Sequence, residues 1–293
     1  MNLPPAGGAV RVLWTHASPH RLQGLVLARE KGWLLTWDDK HWLYVLNGRG
    51  ERQGQVNLPG LAAACCAEDG SAYAAAGRRG EVWWLAPDLT TRWQRTVPQA
   101  AVAAALDPFG QYLAVADARG ALHVFDAQAR SVCLLQTARP LHHLAFVPAA
   151  PRLLGSSDFG LVACFDLAGR AVWRDGLVAH IGSLAVTGDG AEAVLACFSE
   201  GLQRYTLEGQ NLGRLSTPEP CRLAGIAFDG RLILAAGLSS RIQLLDPKGQ
   251  VLLTHSVDKP VAALALSALA DRVLLALADG QLICLELLAN PGG

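Results

Sequence analysis

The feature that most constrains this chain is an internal repeat with a period of 40 residues. The segment "LAAACCAEDG" at 61 recurs in pattern as "AVAAALDPFG" at 101, "LHHLAFVPAA" at 141, "IGSLAVTGDG" at 181, "CRLAGIAFDG" at 221 and "VAALALSALA" at 261. One further unit, "RLQGLVLAREKGWLLTWDDKHWLYVLN", begins at 21 and carries one extra residue near Lys40. Units therefore start at 21, 61, 101, 141, 181, 221 and 261. A repeat of this length cannot bury its own apolar face, so neighbouring units must stack.

Each unit holds four short apolar runs, near its positions 2–6, 11–16, 21–25 and 31–36. Turn residues divide them: Asp69-Gly70, Asp189-Gly190 and Asp229-Gly230 follow first runs, Gly80, Gly120, Gly160 and Gly280 precede third runs, and Gly169, Gly209 and Gly249 precede fourth runs. Asp and Gly supply the backbone conformations that strands cannot. The third runs place Leu122/Val124, Val162/Cys164, Ile242/Leu244 and Leu282/Cys284 on one face and Phe125, Phe165, Leu245 and Leu285 on the other. Apolar residues on both faces fit a sheet packed between two others. Four strands per period predict an all-β chain: a seven-bladed β-propeller of four-stranded antiparallel blades. The unit at 261 has only three runs before the chain ends, and "RVLWTH" (11–16) resembles the fourth-strand segment "RAVWRD" (170–175). A strand at about 10–16 is therefore expected to complete the last blade and close the ring, which hides the open edges of the array. The whole of 1–293 reads as one domain.

The segments "GALHVFD", "GLVACFDLAGRAVW" and "RIQLLDPKGQVLL" carry a resemblance, along the whole chain, to seven-bladed WD-repeat and quinoprotein-like propellers. The WD signature is degraded: no unit has a Gly-His pair before its first strand, and Trp37-Asp38 falls in a turn. The quinoprotein-like Gly followed by a fourth-strand Trp is complete at Gly169 and Trp173, with Trp93 and Trp14 as echoes. The resemblance implies that these rings dock neighbouring blades, and that the protein is a non-catalytic interaction platform within a larger assembly. It also leaves open a propeller enzyme or a small-ligand or anion binder using the channel or rim.

Composition narrows the partners. Lys plus Arg and Asp plus Glu number 25 each, so no global field gathers nucleic acid or anionic membrane. No apolar stretch approaches the length of a membrane span. The seven cysteines (65, 66, 133, 164, 197, 221, 284) are odd in number and mostly lie inside apolar runs, without paired metal-type spacing. With no secretory leader at "MNLPPAGGAVRVLWTH", a reducing cytoplasm is expected. No nucleophile elbow or phosphate loop is present, and the small apolar first strands ("AAACC", "VAAAL", "AALAL") speak against channel chemistry. Neither catalytic residues nor a cofactor are assigned. His20, His142 and His180 are the weak metal candidates, His20 lying in a unit far from the other two.

In an up-and-down blade the links between units share one rim with the second-to-third turns. That rim collects Trp37, Asp38, Asp39 and Lys40 in the first unit, Arg78 and Arg79 in the second, and Arg119 in the third. Asp158 and Phe159 follow in the fourth and Glu200 in the fifth. These residues form the expected protein-binding surface, with Trp37 as a possible exposed anchor and the arginines as a local basic patch.

Overall fold

The computed structural model describes residues 9–288, and in it the short two-faced runs become seven four-stranded antiparallel sheets arranged in a ring. The first strands surround a common central cavity: Leu22–Ala28, Leu61–Cys66, Ala101–Leu106, His143–Val147, Ile181–Val186, Cys221–Ile226 and Val261–Leu266. Each packs on the next, and the last packs on Leu22–Ala28. Ala9–Ala17 supplies the outermost strand of blade seven, pairing antiparallel with Gln281–Leu288 in a register that sets Trp14 against Cys284 and Arg11 against Glu286. The expected closing strand is therefore present and slightly longer than the run that announced it.

The core lies between the blades, as one apolar cluster per interface among the described residues. Adjacent Trp83 and Trp84 illustrate why both faces of each sheet must be apolar. Alternation sends Trp83 into the interface with blade one and Trp84, fully buried, into the interface with blade three. Full burial of a leucine- or phenylalanine-sized side chain contributes roughly 1.5–3 kcal/mol, and an indole presents more apolar surface than either.

A β-bulge recurs in the outermost strand of each blade, near its start in blades one to six and at Leu13, within Ala9–Ala17, in blade seven. Just beyond it, three tryptophans reach the next blade. Trp14 Nε1 donates to Gly48 O (3.1 Å), Trp93 Nε1 to Ala127 O (3.0 Å) and Trp173 Nε1 to Leu207 O (2.9 Å). The rings leave no room opposite them. A Cβ on Gly50 or Gly209 would lie 2.5 or 2.6 Å from Trp14 or Trp173, and both glycines have positive φ. Between blades one and two the sizes are exchanged: the outermost strand offers Gly54 and the facing turn supplies Leu89, 3.3 Å from where a Cβ would stand.

Candidate functional site: the rim of the second-to-third turns

Short polar side chains at the start of these turns satisfy the backbone and aim longer side chains outward. Asp38 accepts hydrogen bonds from the N–H of Lys40 (2.9 Å) and Trp42 (3.0 Å) and from the Tyr44 hydroxyl (2.8 Å). Asp117 accepts from the N–H of Arg119 and Ala121 (2.9 Å each) and stands 3.6 Å from His123 Nε2. In blade four Ser157 takes this place, donating to Phe159 O (2.7 Å) and accepting from Leu161 N (3.1 Å). In blade two the equivalent residue is Gly77, and the Glu81 carboxylate fills the gap by accepting from Arg79 N (3.1 Å).

The sequence-predicted rim residues therefore separate into two groups. Trp37 and Asp38 are buried, the ring within the cluster between blades one and two and the carboxylate beneath its own turn. Neither offers a surface to a partner, which corrects the expectation of an exposed Trp37 anchor. Asp39, Arg78, Arg79, Arg119, Asp158 and Glu200 are exposed, and Phe159 is half-buried. Phe159 tilts against the His180 ring at 4.9 Å, while Asp158 faces His142 Nδ1 (3.3 Å) and His143 Nε2 (3.9 Å). Burial pushes His143 below the ordinary histidine range, opposed by Ile181 O and Asp158.

Ion pairing divides the rim further. On blades five and six, Arg214 pairs with Glu200 and Arg241 with Glu219. On blades two and three, Arg78, Arg79 and Arg119 have no ion-pair partner among the described residues, and neither does Arg139 in the link to blade four. The Arg139 carbonyl is held by Thr137 Oγ1 (2.6 Å), and its guanidinium carbon stands 3.9 Å from where a Cβ of Gly160 would be. Arginines without a side-chain ion pair thus span blades two and three and the link to blade four.

The central channel is a cavity of about 310 Å³ walled by residues such as Val26, Ala104, Leu144, Leu184 and Leu264. At the opposite rim it is barred by a pair that sequence reasoning missed. Arg29 of blade one binds Glu68 of blade two (Nε and a terminal nitrogen to Oε1, 2.9 and 2.6 Å), and Glu68 Oε2 also accepts from Arg29 N at 2.9 Å. The guanidinium crosses to Val186 O of blade five at 3.5 Å and lies 5.7 Å from the Phe228 ring of blade six. The available signal was that Arg29 and Glu68 fill corresponding places in successive units with opposite charge. Cys66 in the channel wall is held as a thiol, its pKa pushed well above the ordinary value by burial and then by Glu68. His142 and His180 lie near the junction of blades four and five, and His20 lies beside blade seven, where Gly280 approaches its carbonyl. No three His, Cys, Asp or Glu side chains among the described residues are grouped as a metal requires.

No protein-family model matches the chain, and no curated protein matches it.

Proposed function

We propose that the chain is a non-catalytic, single-domain platform that docks an acidic surface of a protein partner within a larger cytoplasmic assembly. The observation that carries this reading is the arc of Arg78, Arg79, Arg119 and Arg139, exposed and without acidic partners where the arginines of blades five and six are neutralised. A closed ring fixes turns from separate blades relative to one another, so their charges meet a partner together at little ordering cost. Arginine's planar fork suits carboxylates. Seven free cysteines, mostly buried, support a reducing compartment. The Trp14, Trp93 and Trp173 bonds to neighbouring blades support a quinoprotein-like reading of the repeat over a WD-repeat one. An enzyme using the channel is less favoured, because most of the side chains lining it are aliphatic and its charged pair, Arg29 and Glu68, is mutually satisfied.

The test is recovery of the untagged protein from native lysate as a stoichiometric complex. Arg78→Glu, Arg79→Glu and Arg119→Glu together are expected to abolish co-elution while leaving the circular dichroism unchanged. Co-elution that survives this reversal, or a protein that elutes as a free chain from the start, contradicts the proposal.

A further inference from the structure

At the rim opposite the arginines, the turns between first and second strands surround the channel mouth, and backbone hydrogen bonds tie neighbouring turns together. Glu30 N of blade one donates to Glu68 O of blade two (3.0 Å), and Glu68 N to Pro108 O of blade three (3.0 Å). Gly188 N of blade five donates to Phe228 O of blade six (2.9 Å), and Phe228 N to Ala268 O of blade seven (3.3 Å). The belt breaks after blades three and four, because the residues placed to donate there are Pro108 and Pro148, which have no N–H. Between blades four and five Ala149 closes the gap, its Cβ 2.8 Å from where a Cβ of Gly190 would stand. Between blades three and four the gap stays open as a cavity of about 280 Å³, with both prolines in its wall. Blades seven and one are also unlinked among the described residues, but the cavity there is only about 50 Å³.

We propose that the cavity between blades three and four binds a small aromatic heterocycle, of one or two fused rings, that carries an N–H donor. Phe109, Tyr112, Phe146 and Leu167 supply its flat apolar walls, and Phe109 is 65% exposed. The volume lies just below the roughly 300 Å³ at which drug-sized sites begin, which sets the size of the ligand. The polar groups set its chemistry. Asp107 is taken up by its own turn, accepting from the N–H of Phe109 (3.2 Å), Gln111 and Tyr112 (2.6 Å). The Gln111 amide and the Tyr112 hydroxyl can each donate or accept, so neither selects a ligand. Pro148 O can only accept, and it accepts no hydrogen bond from the described residues. It holds the place in its turn at which Glu68 O, Pro108 O, Phe228 O and Ala268 O each meet a donor from the preceding blade. Here the preceding blade offers Pro108. A ring N–H supplies the missing donor while the ring itself fills the space between the two turns.

The test is calorimetric titration of the purified protein with indole, and with benzofuran, which keeps the shape but puts an oxygen acceptor in place of the N–H. Indole is expected to bind at one site with a Kd of roughly 0.1–1 mM, and benzofuran at least about 5-fold more weakly. Pro108→Ala restores an N–H on the side of Pro148 O and is expected to weaken indole about 5-fold. Phe109→Ala, at an exposed site where folding is not at risk, should weaken it too, whereas Leu269→Ala, at a 60% exposed residue on the same rim of blade seven, should leave it unchanged. No binding of indole up to about 5 mM overturns the proposal, and so does equal affinity for indole and benzofuran. Binding undiminished in Pro108→Ala or Phe109→Ala, or a loss in Leu269→Ala as large as that in Phe109→Ala, overturns it as well. The cavity lies on the rim away from the arginines, so this proposal and the docking of an acidic partner fail separately.

Discussion

Asp38 and Asp39 are adjacent acids with opposite fates, and the difference is one of direction. Asp38 closes three hydrogen bonds beneath its turn, and Asp39 faces solvent. Asp38→Ala is expected to cost about 2–3 kcal/mol in urea unfolding, because two N–H groups and a buried hydroxyl lose a charged acceptor. Asp39→Ala should stay within about 0.5 kcal/mol of the parent. The sequence located the turn through its spacing, but spacing does not say which acid of a pair points inward. Trp37 was misplaced for the same reason: it neighbours a rim residue, yet its strand sends it into the blade interface.

Histidines set the expected pH response. Burial lowers His16, His123 and His143 from 6.5, with Arg52 adding to the effect at His16 and Asp117 opposing it at His123. Below 6.5 the unfolded chain therefore binds protons that the folded chain resists. Their contribution to stability is complete above 6.5 and is lost as pH falls through 6.5 towards the lower folded values. The urea midpoint should fall between about pH 7 and 5. His143→Gln, which keeps a donor for Ile181 O, should make that fall shallower.

At the scale of the strand, several interfaces pack a large side chain against a small one. Trp173→Ala removes a half-buried ring and its bond to Leu207, with an expected cost of about 3 kcal/mol. Gly209→Ala forces a Cβ into that ring at positive φ and should also destabilise. The double variant should cost clearly less than the sum, a coupling of about 1 kcal/mol or more, since the clash disappears with the ring. Additive costs in a double-mutant cycle would show that the pair does not touch. Strand count and turn positions were legible because the period and the two-faced apolar runs repeat in every unit. The bulge within each outermost strand was not, because one extra residue leaves no mark in a pattern of such short runs. The exchange of Gly54 with Leu89 was hidden too, since a glycine in a strand does not reveal what fills the space beside it.

The whole molecule is held closed by pairing Ala9–Ala17 with Gln281–Leu288. Deleting residues 1–17 should expose the Gln281–Leu288 edge and remove the Trp14 bond to Gly48, and the truncated chain is expected to aggregate or lose its single cooperative unfolding transition. Function, on this account, belongs to the ring as a frame that brings charges from separate blades onto one surface. The repeat revealed the frame, and its turns revealed Arg78, Arg79 and Arg119. Whether each arginine is neutralised depends on contacts between side chains of different strands and links, which only the folded structure displays. The most direct measurement compares the two classes of arginine in affinity for the co-purified partner. Alanine at Arg78, Arg79 or Arg119 should each weaken binding roughly 5- to 10-fold. Alanine at Arg214 or Arg241, already paired with Glu200 and Glu219, should change it less than about 2-fold. Equal losses in both classes, or larger losses at the paired arginines, would contradict the account.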